Sequence, residues 1–409
     1  MSRPPDTDRH SRRWGVLLAA ARAPGLLAAT LTLLLIGAAG PYADLAQAVP
    51  AWTTTQAPPM PAGATSSVLS GVSCPSASGC IAVGSYVNSA GSRMTLAEAW
   101  NGTNWSIQTT LNPTANSVLS SVSCTAANAC TAVGASVNSS GAEATLAESW
   151  DGNTWSIQQS PTPPGGATFS GVSCVGATCT AVGGTSQNTP LAEQWTTSGG
   201  WVIPAAAPAG GGVFSSVSCT GASACYAVGS SGRGALAEQW NGTTWTIQST
   251  PNPLPAGIWN GGSSLSGVSC LSTTNCVAVG QWSGWRCTGS VCNCLKYPCS
   301  HVQEPVTESL NGTTWTIMPN SLTIGALAGV SCAATTACAA VGTINSTGPT
   351  YALEDDWTGS SWLYAEVPAN PYGDLLGVSC ATATTCLAVG QGHPAPYTAA
   401  WTALAVLSS

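Results

Sequence analysis

The sequence predicts an all-β fold: a seven-bladed β-propeller with four antiparallel strands per blade. Three observations lead to this prediction. A motif recurs seven times with a period near 50 residues, each repeat contains short strand patterns, and the strand that the last repeat lacks is present at the other end of the chain. A period of this length is typical of propeller blades and is too long for the coils of a β-helix.

The repeated motif is Gly/Ser-Val-Ser-Cys, followed five or six residues later by a second cysteine in Cys-x-Ala-Val-Gly. Successive copies are 50, 50, 45, 51, 62 and 48 residues apart, so the fifth unit is the longest. Small residues let backbones approach in crowded inner strands. Bulky pairs such as Trp100 and Trp105 fit the wider spaces between outer strands.

The first unit shows the four strands of one blade. Strand patterns cover residues 67–74, 80–86, 95–100 and 104–109. Asn101-Gly102 separates the last two strands, and this dipeptide predicts a hairpin with a type I′ turn, in which both central residues have positive φ.

The two ends of the chain complement each other. The last unit has strand patterns at residues 375–380 and 386–390 and a third around Trp401, but no fourth. Residues 51–56, which read Ala-Trp-Thr-Thr-Thr-Gln, resemble the fourth strand of the first unit. We therefore expect the N-terminal strand to complete the last blade, because closure of the ring removes exposed sheet edges.

Residues 1–48 have the features of a signal peptide. Arg12 and Arg13 precede an apolar stretch at residues 15–40, which ends near Ala46-Gln47-Ala48, a small-x-small cleavage pattern. The apolar stretch is also long enough for an uncleaved membrane anchor, and the arginine pair fits general or twin-arginine export. We expect a secreted or cell-surface protein whose propeller occupies residues 49–409.

The cysteine pattern agrees with export, because an even number at repeated spacing in an exported chain indicates disulfides. The spacing predicts seven bridges across the first hairpin of each blade, and pairing between blades also fits. The pairs are Cys74/Cys80, Cys124/Cys130, Cys174/Cys179, Cys219/Cys225, Cys270/Cys276, Cys332/Cys338 and Cys380/Cys386. Four more cysteines form a cluster near His301 that fits two disulfides or, alternatively, zinc: Cys287, Cys292, Cys294 and Cys299.

Charge excludes two classes of partner. After residue 48 the chain has four basic and thirteen acidic residues, a net charge of −9. So few cations cannot neutralise a run of phosphates, so nucleic acid is not expected as a partner. Attraction to an anionic membrane surface is not expected either.

One acidic residue recurs at the same position of the third strand in six units, whereas we align Ala399 with it in the last unit. A ring of carboxylates could hold a cation, but a residue that repeats with the blade favours a structural contact. Residues 354–356 form an acidic run that we interpret as a solvated strand end. The recurrent acids are Glu98, Glu148, Glu193, Glu238, Glu308 and Asp355.

The full pattern, Leu-Ser-Gly-Val-Ser-Cys through Leu-Ala-Glu-x-Trp-Asn-Gly-x-x-Trp, resembles the BNR or Asp-box class of propellers. It also resembles exported repeat proteins of high-GC Gram-positive bacteria, and the resemblance covers Trp52 to Trp401. The nearest match to the box is residues 151–155, Asp-Gly-Asn-Thr-Trp. In that class the box is a structural turn, so the resemblance implies a fold and not an activity.

The fifth unit carries the feature that departs most from the repeat, a disulfide-rich insertion at residues 281–305. Aromatic residues and arginine are the types that anchor interfaces, and flat aromatic faces suit sugar rings. We expect this insertion and the preceding inter-blade loop to form the ligand-binding site, although a protease-resistant insertion without a ligand is the alternative. The candidate residues are Trp259, Trp282, Trp285, Arg286, Lys296, Tyr297 and His301.

These observations favour a non-catalytic extracellular binding or scaffold propeller that recognises a polysaccharide or a surface protein. The alternative is a carbohydrate-active enzyme of the glycosidase or lyase type, which needs two carboxyl groups close together. Sialidase-type members of the resembling class use an arginine cluster, whereas the three arginines after residue 48 lie in different units. After that point the chain has only two histidines, His301 and His393. We find no cofactor motif, predict no metal site and expect a monomer.

Overall fold

The computed structural model describes most of the chain from residue 51 onward. The described residues are 51–138, 140–204, 208, 210–232, 234–251, 258–287, 299–320, 322–345, 350–365, 367, 372–393 and 400–408. The expected signal peptide at residues 1–48 lies outside them. Within the described part of the chain, no helix is both long enough and apolar enough to cross a membrane.

The described strands form seven four-stranded antiparallel sheets, one per blade, and the innermost strand of each blade carries the Val-Ser-Cys motif. Blades 1 to 3 contain β2 (Ser66–Ser76), β3 (Gly79–Val87), β4 (Arg93–Trp100) and β5 (Trp105–Gln108); β6 (Val118–Ala126), β7 (Ala129–Val137), β8 (Glu143–Trp150) and β9 (Trp155–Gln158); and β10 (Ala167–Val175), β11 (Thr178–Thr185), β12 (Pro190–Thr196) and β13 (Gly200–Val202).

Blades 4 to 6 follow in chain order, and blade 7 combines both ends of the chain. Their strands are β14 (Val213–Gly221), β15 (Ala224–Ser231), β16 (Gly234–Trp240) and β17 (Trp245–Ile247); β18 (Ile258–Ser272), β19 (Asn275–Cys287), β20 (Cys299–Asn311) and β21 (Thr314–Ile317); β22 (Ala326–Ala334), β23 (Ala337–Asn345), β24 (Thr350–Trp357) and β25 (Trp362–Ala365); and β26 (Gly373–Cys380), β27 (Cys386–Gly392), β28 (Thr402–Ser408) and β1 (Trp52–Thr54).

The N-terminal strand closes the ring, which confirms the prediction. Strand β1 is the outermost strand of blade 7 and pairs antiparallel with β28, with Trp52 opposite Ser408. The indole Nε1 of Trp52 also donates a hydrogen bond of 3.2 Å to Oδ2 of Asp356 in blade 6. The closing strand is therefore held by its own sheet and by the neighbouring blade.

The register predicted for the last blade is wrong. Strand β28 begins after Trp401, and Val406, not Ala399, lies opposite Ala388 where the other blades have the recurrent acid. Ala399 itself lies outside the described residues. Strand β28 lacks the acid of the other six third strands and the tryptophan that five of them carry, so the sequence offers only Trp401 as a marker, and Trp401 precedes the strand.

A ring of seven hydrogen bonds joins the innermost strands. In each Val-Ser-Cys motif the serine Oγ accepts a hydrogen bond from the backbone N–H of the cysteine in the next blade. Every one of these bonds is 2.9 or 3.0 Å long, and the last runs from Cys74 N to Ser379 Oγ across the closure. The motif therefore specifies contacts between blades as well as a strand.

The glycine of Ala-Val-Gly is required by a close approach of two strands. A Cβ at Gly84 would lie 2.0 Å from the carbonyl oxygen of Val68, and the six equivalent glycines are equally crowded. Each approach coincides with a β-bulge in the innermost strand, as between Leu69 and Gly71. Only glycine fits there, because any side chain would collide with the backbone.

The seven predicted disulfides each bridge the first and second strands of one blade, which confirms pairing within the hairpin. Bridges of this number are typical of an oxidising environment. In the fifth-blade cluster Cys299 is disulfide-bonded, which favours the disulfide alternative over zinc. Cys292, Cys294 and the side chain of Cys287 lie outside the described residues.

The two cysteines of each bridge differ in burial, which the sequence spacing did not indicate. The first cysteine, on the innermost strand, is half-buried, whereas the second is buried in a hydrophobic core cluster, one cluster for each blade. The second cysteines are therefore core residues as well as bridge partners, and they offer no surface for a ligand. These buried residues are Cys80, Cys130, Cys179, Cys225, Cys276, Cys338 and Cys386.

The predicted type I′ turn is wrong, because only Gly102 of the Asn101-Gly102 pair has positive φ. Four residues connect the strands, and the Asn101 Oδ1 accepts hydrogen bonds from the N–H groups of Thr103 and Asn104. Asp151 makes the same contacts in blade 2, where the Thr154 and Asn153 N–H groups lower the pKa of its carboxyl. These residues serve as structural turns.

Replacing Ser73 by alanine should remove one bond of the inner ring. The partly buried N–H of Cys124 would then have no acceptor, so the free energy of unfolding should fall by about 1–3 kcal/mol. Denaturant unfolding of Ser73→Ala beside Ser78→Ala, a change at an exposed turn position, measures this difference. Equal unfolding midpoints for the two variants would contradict a stabilising role for the ring.

Candidate functional site

Two kinds of connection open on one face of the ring, which we call the loop face. Because successive strands of a blade are antiparallel, the link between its second and third strands and the link to the next blade lie at the same end. The disulfide-bridged first hairpin and the tryptophan-flanked last hairpin lie at the opposite end. The loop face is therefore where the sequence can carry insertions without disturbing the four-stranded blade.

The predicted insertion at residues 281–305 is mostly strand rather than loop. Strands β19 and β20 pair without interruption up to Cys287 opposite Cys299, and only residues 288–298 lie outside the described part of the chain. Paired backbone groups stay hydrogen-bonded as the two strands extend past the blade. The result is a long hairpin, not an irregular loop, at the loop face of blade 5.

The predicted ligand residues on this hairpin differ in their exposure to solvent. Trp285 is 42% exposed, and its ring packs edge-on against His301 with ring centroids 5.2 Å apart. The Arg286 guanidinium forms an exposed ion pair of 3.4 Å with Glu304. Trp282 is only 3% exposed and belongs to a core cluster with blade 4, so it cannot serve as a surface platform.

Of the remaining predicted ligand residues, Trp259 is described by its backbone alone. The backbone of Trp259 lies opposite Trp285 in the strand register, so β18 reaches the same height as the Trp285–His301 pair. The side chain of Trp259, and all of Lys296 and Tyr297, lie outside the described residues. Their roles in ligand binding stay predictions.

Three pairs of packed rings follow one another along the loop face, and we call these six residues the aromatic arc. The first pair, in blade 5, is the one just described. The second joins blades 6 and 7 with centroids 5.3 Å apart, and the third lies in blade 7 with centroids 3.9 Å apart. The arc consists of Trp285, His301, Tyr351, Tyr372, His393 and Trp401.

The arc is confined to consecutive blades. In blades 2, 3 and 4, the loop-face ends of the second and third strands carry no aromatic side chain among the described residues. Four of the six arc residues were not among the predicted site residues. Tyr351, Tyr372 and His393 stand at strand ends outside the repeated motif, and Trp401, around which the sequence predicts the third strand of blade 7, lies just before β28.

A small pocket lies on the loop face between blades 7 and 1, next to the last pair of the arc. Its volume is about 150 Å³, and we call it the seam pocket. Two aromatic residues, Trp401 and Tyr86, line it together with Arg93, three serines and Gln391. The lining residues are Ser66, Ser67, Val68, Ser85, Tyr86, Val87, Arg93, Gln391 and Trp401.

The central channel offers little chemistry. Its cavity is about 150 Å³ and is lined by the bulged segments of all seven innermost strands, such as Ser70-Gly71 and Ser120-Ser121. None of the described lining residues is titratable, and glycine backbones of neighbouring blades are in close contact there, as at Gly377 and Gly71. A substrate could meet hydroxyl groups in the channel but no acid or base.

Four of the six recurrent acids contact the chain segment that leads into their own blade. Glu148 accepts a hydrogen bond of 3.3 Å from Leu111 N–H, and Glu193 accepts one of 2.9 Å from the Ser160 hydroxyl. Glu238 and Asp355 make the same kind of contact in blades 4 and 6. All six recurrent acids are buried. These contacts favour the structural alternative over a cation-binding ring.

The acidic run at residues 354–356 is also buried, so its interpretation as a solvated strand end is wrong. Glu354 is 0% exposed, and burial together with the nearby charge of Asp356 raises its pKa to about 10. Burial raises the pKa of Asp355 to about 7 and that of Asp356 to about 6. The run lies opposite β23 within blade 6, and Asp356 holds the closing strand through Trp52.

No protein-family model matches this sequence. No curated protein matches it either. Solved propellers do match the structure. YCF48 from Cyanidioschyzon merolae superposes with a TM-score of 0.53 at 13% identity, over 88% of this chain and 98% of that chain. YCF48 bound to D1 peptide gives a TM-score of 0.51 at the same identity and coverage.

A third structure, that of U3-55K, gives a TM-score of 0.53 at 9% identity, over 84% of this chain and 96% of that chain. Identities this low show a common propeller fold and do not transfer a function. Membership of the Asp-box class and a Gram-positive origin stay predictions from the sequence resemblance.

The buried acids should make the protein less stable as pH rises. Burial raises the pKa of Glu98 and of Glu308 to about 8, from a usual value of 4.5. Below pH 4.5 each carboxyl is protonated in both the folded and the unfolded protein. Between pH 4.5 and the raised pKa, the carboxyl is ionised in the unfolded chain but protonated in the folded protein. The free energy of unfolding should therefore fall over this range by up to about 1.4 kcal/mol per pH unit for each carboxyl.

Thermal unfolding between pH 5 and pH 8 tests this expectation. The Glu98→Gln/Glu308→Gln variant keeps both positions neutral, so its melting temperature should fall less than that of the parent over this range. Glu143→Gln, at an exposed position, serves as the control and should follow the parent. A parent protein whose stability rises from pH 5 to pH 8 would show that the buried carboxyls are not protonated as described.

Proposed function

We propose that this protein is a non-catalytic extracellular binding or scaffold propeller, and that the aromatic arc on its loop face recognises a polysaccharide or a surface protein. The observation that carries the proposal is the arc itself. Packed rings occupy the loop face of consecutive blades, where the repeat does not require them. A residue that departs from the repeat is not explained by the architecture of the blade.

The composition of the arc suits recognition. Tyrosine and tryptophan combine a large apolar ring with one polar group, and they dominate the binding energy of many interfaces. Trp285 and His301 are both exposed on the extended hairpin. The strand pairing that continues to Cys287 and Cys299 holds the backbone that carries these rings, and the rings pack against each other, so less conformational entropy is lost on binding.

The position of the carboxyl groups supports a non-catalytic role. The carboxyls whose pKa is raised to about 7, those of Glu148, Glu193 and Asp355, are buried between blades and bonded to connecting segments. A glycosidase needs two carboxyls that reach the same glycosidic bond. Buried groups of this kind act in the fold and do not meet a substrate on the loop face.

Export is part of the proposal. The seven disulfides suit an oxidising compartment, and residues 1–48 have the expected features of a signal peptide. The secreted or cell-surface form would then be residues 49–409, as a monomer. The match to YCF48 bound to D1 peptide supports a protein segment as a ligand class beside polysaccharides.

Binding of the 49–409 protein to an array of cell-wall and capsular polysaccharides, and capture of surface proteins by the same protein, tests this function. The Trp285→Ala/His301→Ala variant should lose about tenfold or more in affinity for whichever ligand binds. Tyr364→Ala is a matched control, because Tyr364 is 41% exposed on the outermost strand of blade 6, away from the loop face.

Three outcomes decide the proposal. Loss of binding in the arc variant with retention in the Tyr364→Ala control supports recognition by the arc. Equal binding by both variants, or hydrolysis of an arrayed polysaccharide by the parent protein, contradicts it.

A further inference from the structure

We propose that the seam pocket binds one neutral pyranose ring of a polysaccharide, and that this ligand holds blade 7 against blade 1. The inference rests on the proposed function and narrows it to one ligand class and one place. Three features of the pocket carry it: its size, its lining residues, and its location at the closure of the ring.

The size of the pocket fits a single six-membered ring. Its volume is about 150 Å³, and a protein cavity of roughly 150 Å³ accommodates benzene. A pyranose has the same number of ring atoms but also carries hydroxyl groups, so its ring would enter the pocket while part of these groups stayed at the mouth. A whole oligosaccharide is larger than this. The rest of a polysaccharide chain would extend over the loop face, where the adjoining pair of the aromatic arc, His393 and Trp401, lies.

The lining combines the two features that a sugar ring needs. Trp401 and Tyr86 supply aromatic surface for the apolar face of a pyranose, and His393 packs against Trp401 and so restricts the orientation of its ring. Arg93 and Gln391 supply planar hydrogen-bonding groups.

The charges near the pocket favour a neutral ring. Arg93 lines the pocket and has no ion-pair partner among the described residues. On the opposite wall, Gln391 donates a hydrogen bond of 3.2 Å to the Asp374 carboxylate. A positive and a negative charge therefore both lie near the ligand. A carboxylated or a cationic sugar would be attracted by one of them and repelled by the other.

The pocket lies at the joint where the two ends of the chain meet. Strand β1 is continuous in sequence with blade 1, but its segment joins β28 through only three residue pairs and the hydrogen bonds of Thr55 to the Ala405 carbonyl. Across this joint, Ser67 N–H donates to the Trp401 carbonyl and Ala403 N–H donates to the Ser67 Oγ, both at 3.1 Å. A ligand that contacts Trp401 on one side and Tyr86 on the other binds only the closed ring.

Binding should therefore stabilise closure, because a ligand that binds the closed form alone shifts the equilibrium toward it. Hydrogen exchange gives a local measurement. With a bound oligosaccharide, the amides of β1 and β28 should exchange more slowly, and those of β10 to β13 in blade 3 should change little. A global rise in melting temperature without this local difference would contradict the coupling to closure.

The binding experiment uses the 49–409 protein and short neutral oligosaccharides, namely gluco-, manno- and N-acetylglucosamine-based di- and trisaccharides, with uronate-containing ones for comparison. Trp401→Ala and Arg93→Ala should each weaken binding of a neutral oligosaccharide about tenfold. Trp401→Phe should restore part of the affinity, and Tyr364→Ala should match the parent. Arg93 is exposed, so its variant tests the pocket even where Trp401→Ala fails to fold.

The outcomes separate this inference from the function on which it rests. Sugar binding that needs Trp285 and His301 but not Trp401 or Arg93 overturns the seam pocket and leaves the arc. A preference for uronates overturns the neutral-ring assignment. Arc-dependent capture of a protein without any sugar binding overturns the sugar ligand and leaves the proposed function, whereas no binding of any kind overturns both.

Discussion

The ring of hydrogen bonds between the motif serines and the cysteine amides of the next blade is the constraint on which the rest of the structure depends. Each bond fixes the separation of two innermost strands near the axis, where the space is smallest. The same cysteine is held by the disulfide of its own hairpin, so the donor amide cannot shift along the strand. Every outer strand is then positioned by antiparallel pairing from this inner ring.

Residues that follow the repeat and residues that break it have different roles. Four of the recurrent acids hold the segment that links two blades, and the Val-Ser-Cys motif joins neighbouring blades; both features recur because the blade recurs. Glu354 and Asp356 stand where blade 1 has Ala97 and Ala99, and Asp356 meets the Trp52 indole of the closing strand. Departures from the repeat therefore mark either the closure of the ring or the candidate binding face.

Much of the fold could be predicted from the sequence, because strand pairs, disulfides and closure all follow from local patterns that recur. The position of the acid was correct in six blades for the same reason. The last blade failed because Val406 and Ser408 replace the acid and the tryptophan, which left Trp401 as the only marker. Trp282 was placed on the surface because strand pairing beyond the repeat is invisible in the sequence. The seam pocket joins opposite ends of the chain, such as Ser67 and Trp401, and no local pattern indicates such a contact.

The disulfides have a consequence for how the chain is made. Each bridge of the repeat joins cysteines five or six residues apart, so its correct partner is always the nearest one along the chain. Closure of so short a loop costs little entropy compared with closure of a long one. Oxidation can thus proceed unit by unit in the order of synthesis, with proximity selecting the native pairing, and none of these seven bridges needs to await completion of the ring. A vectorial route of this kind limits scrambling among the many thiols.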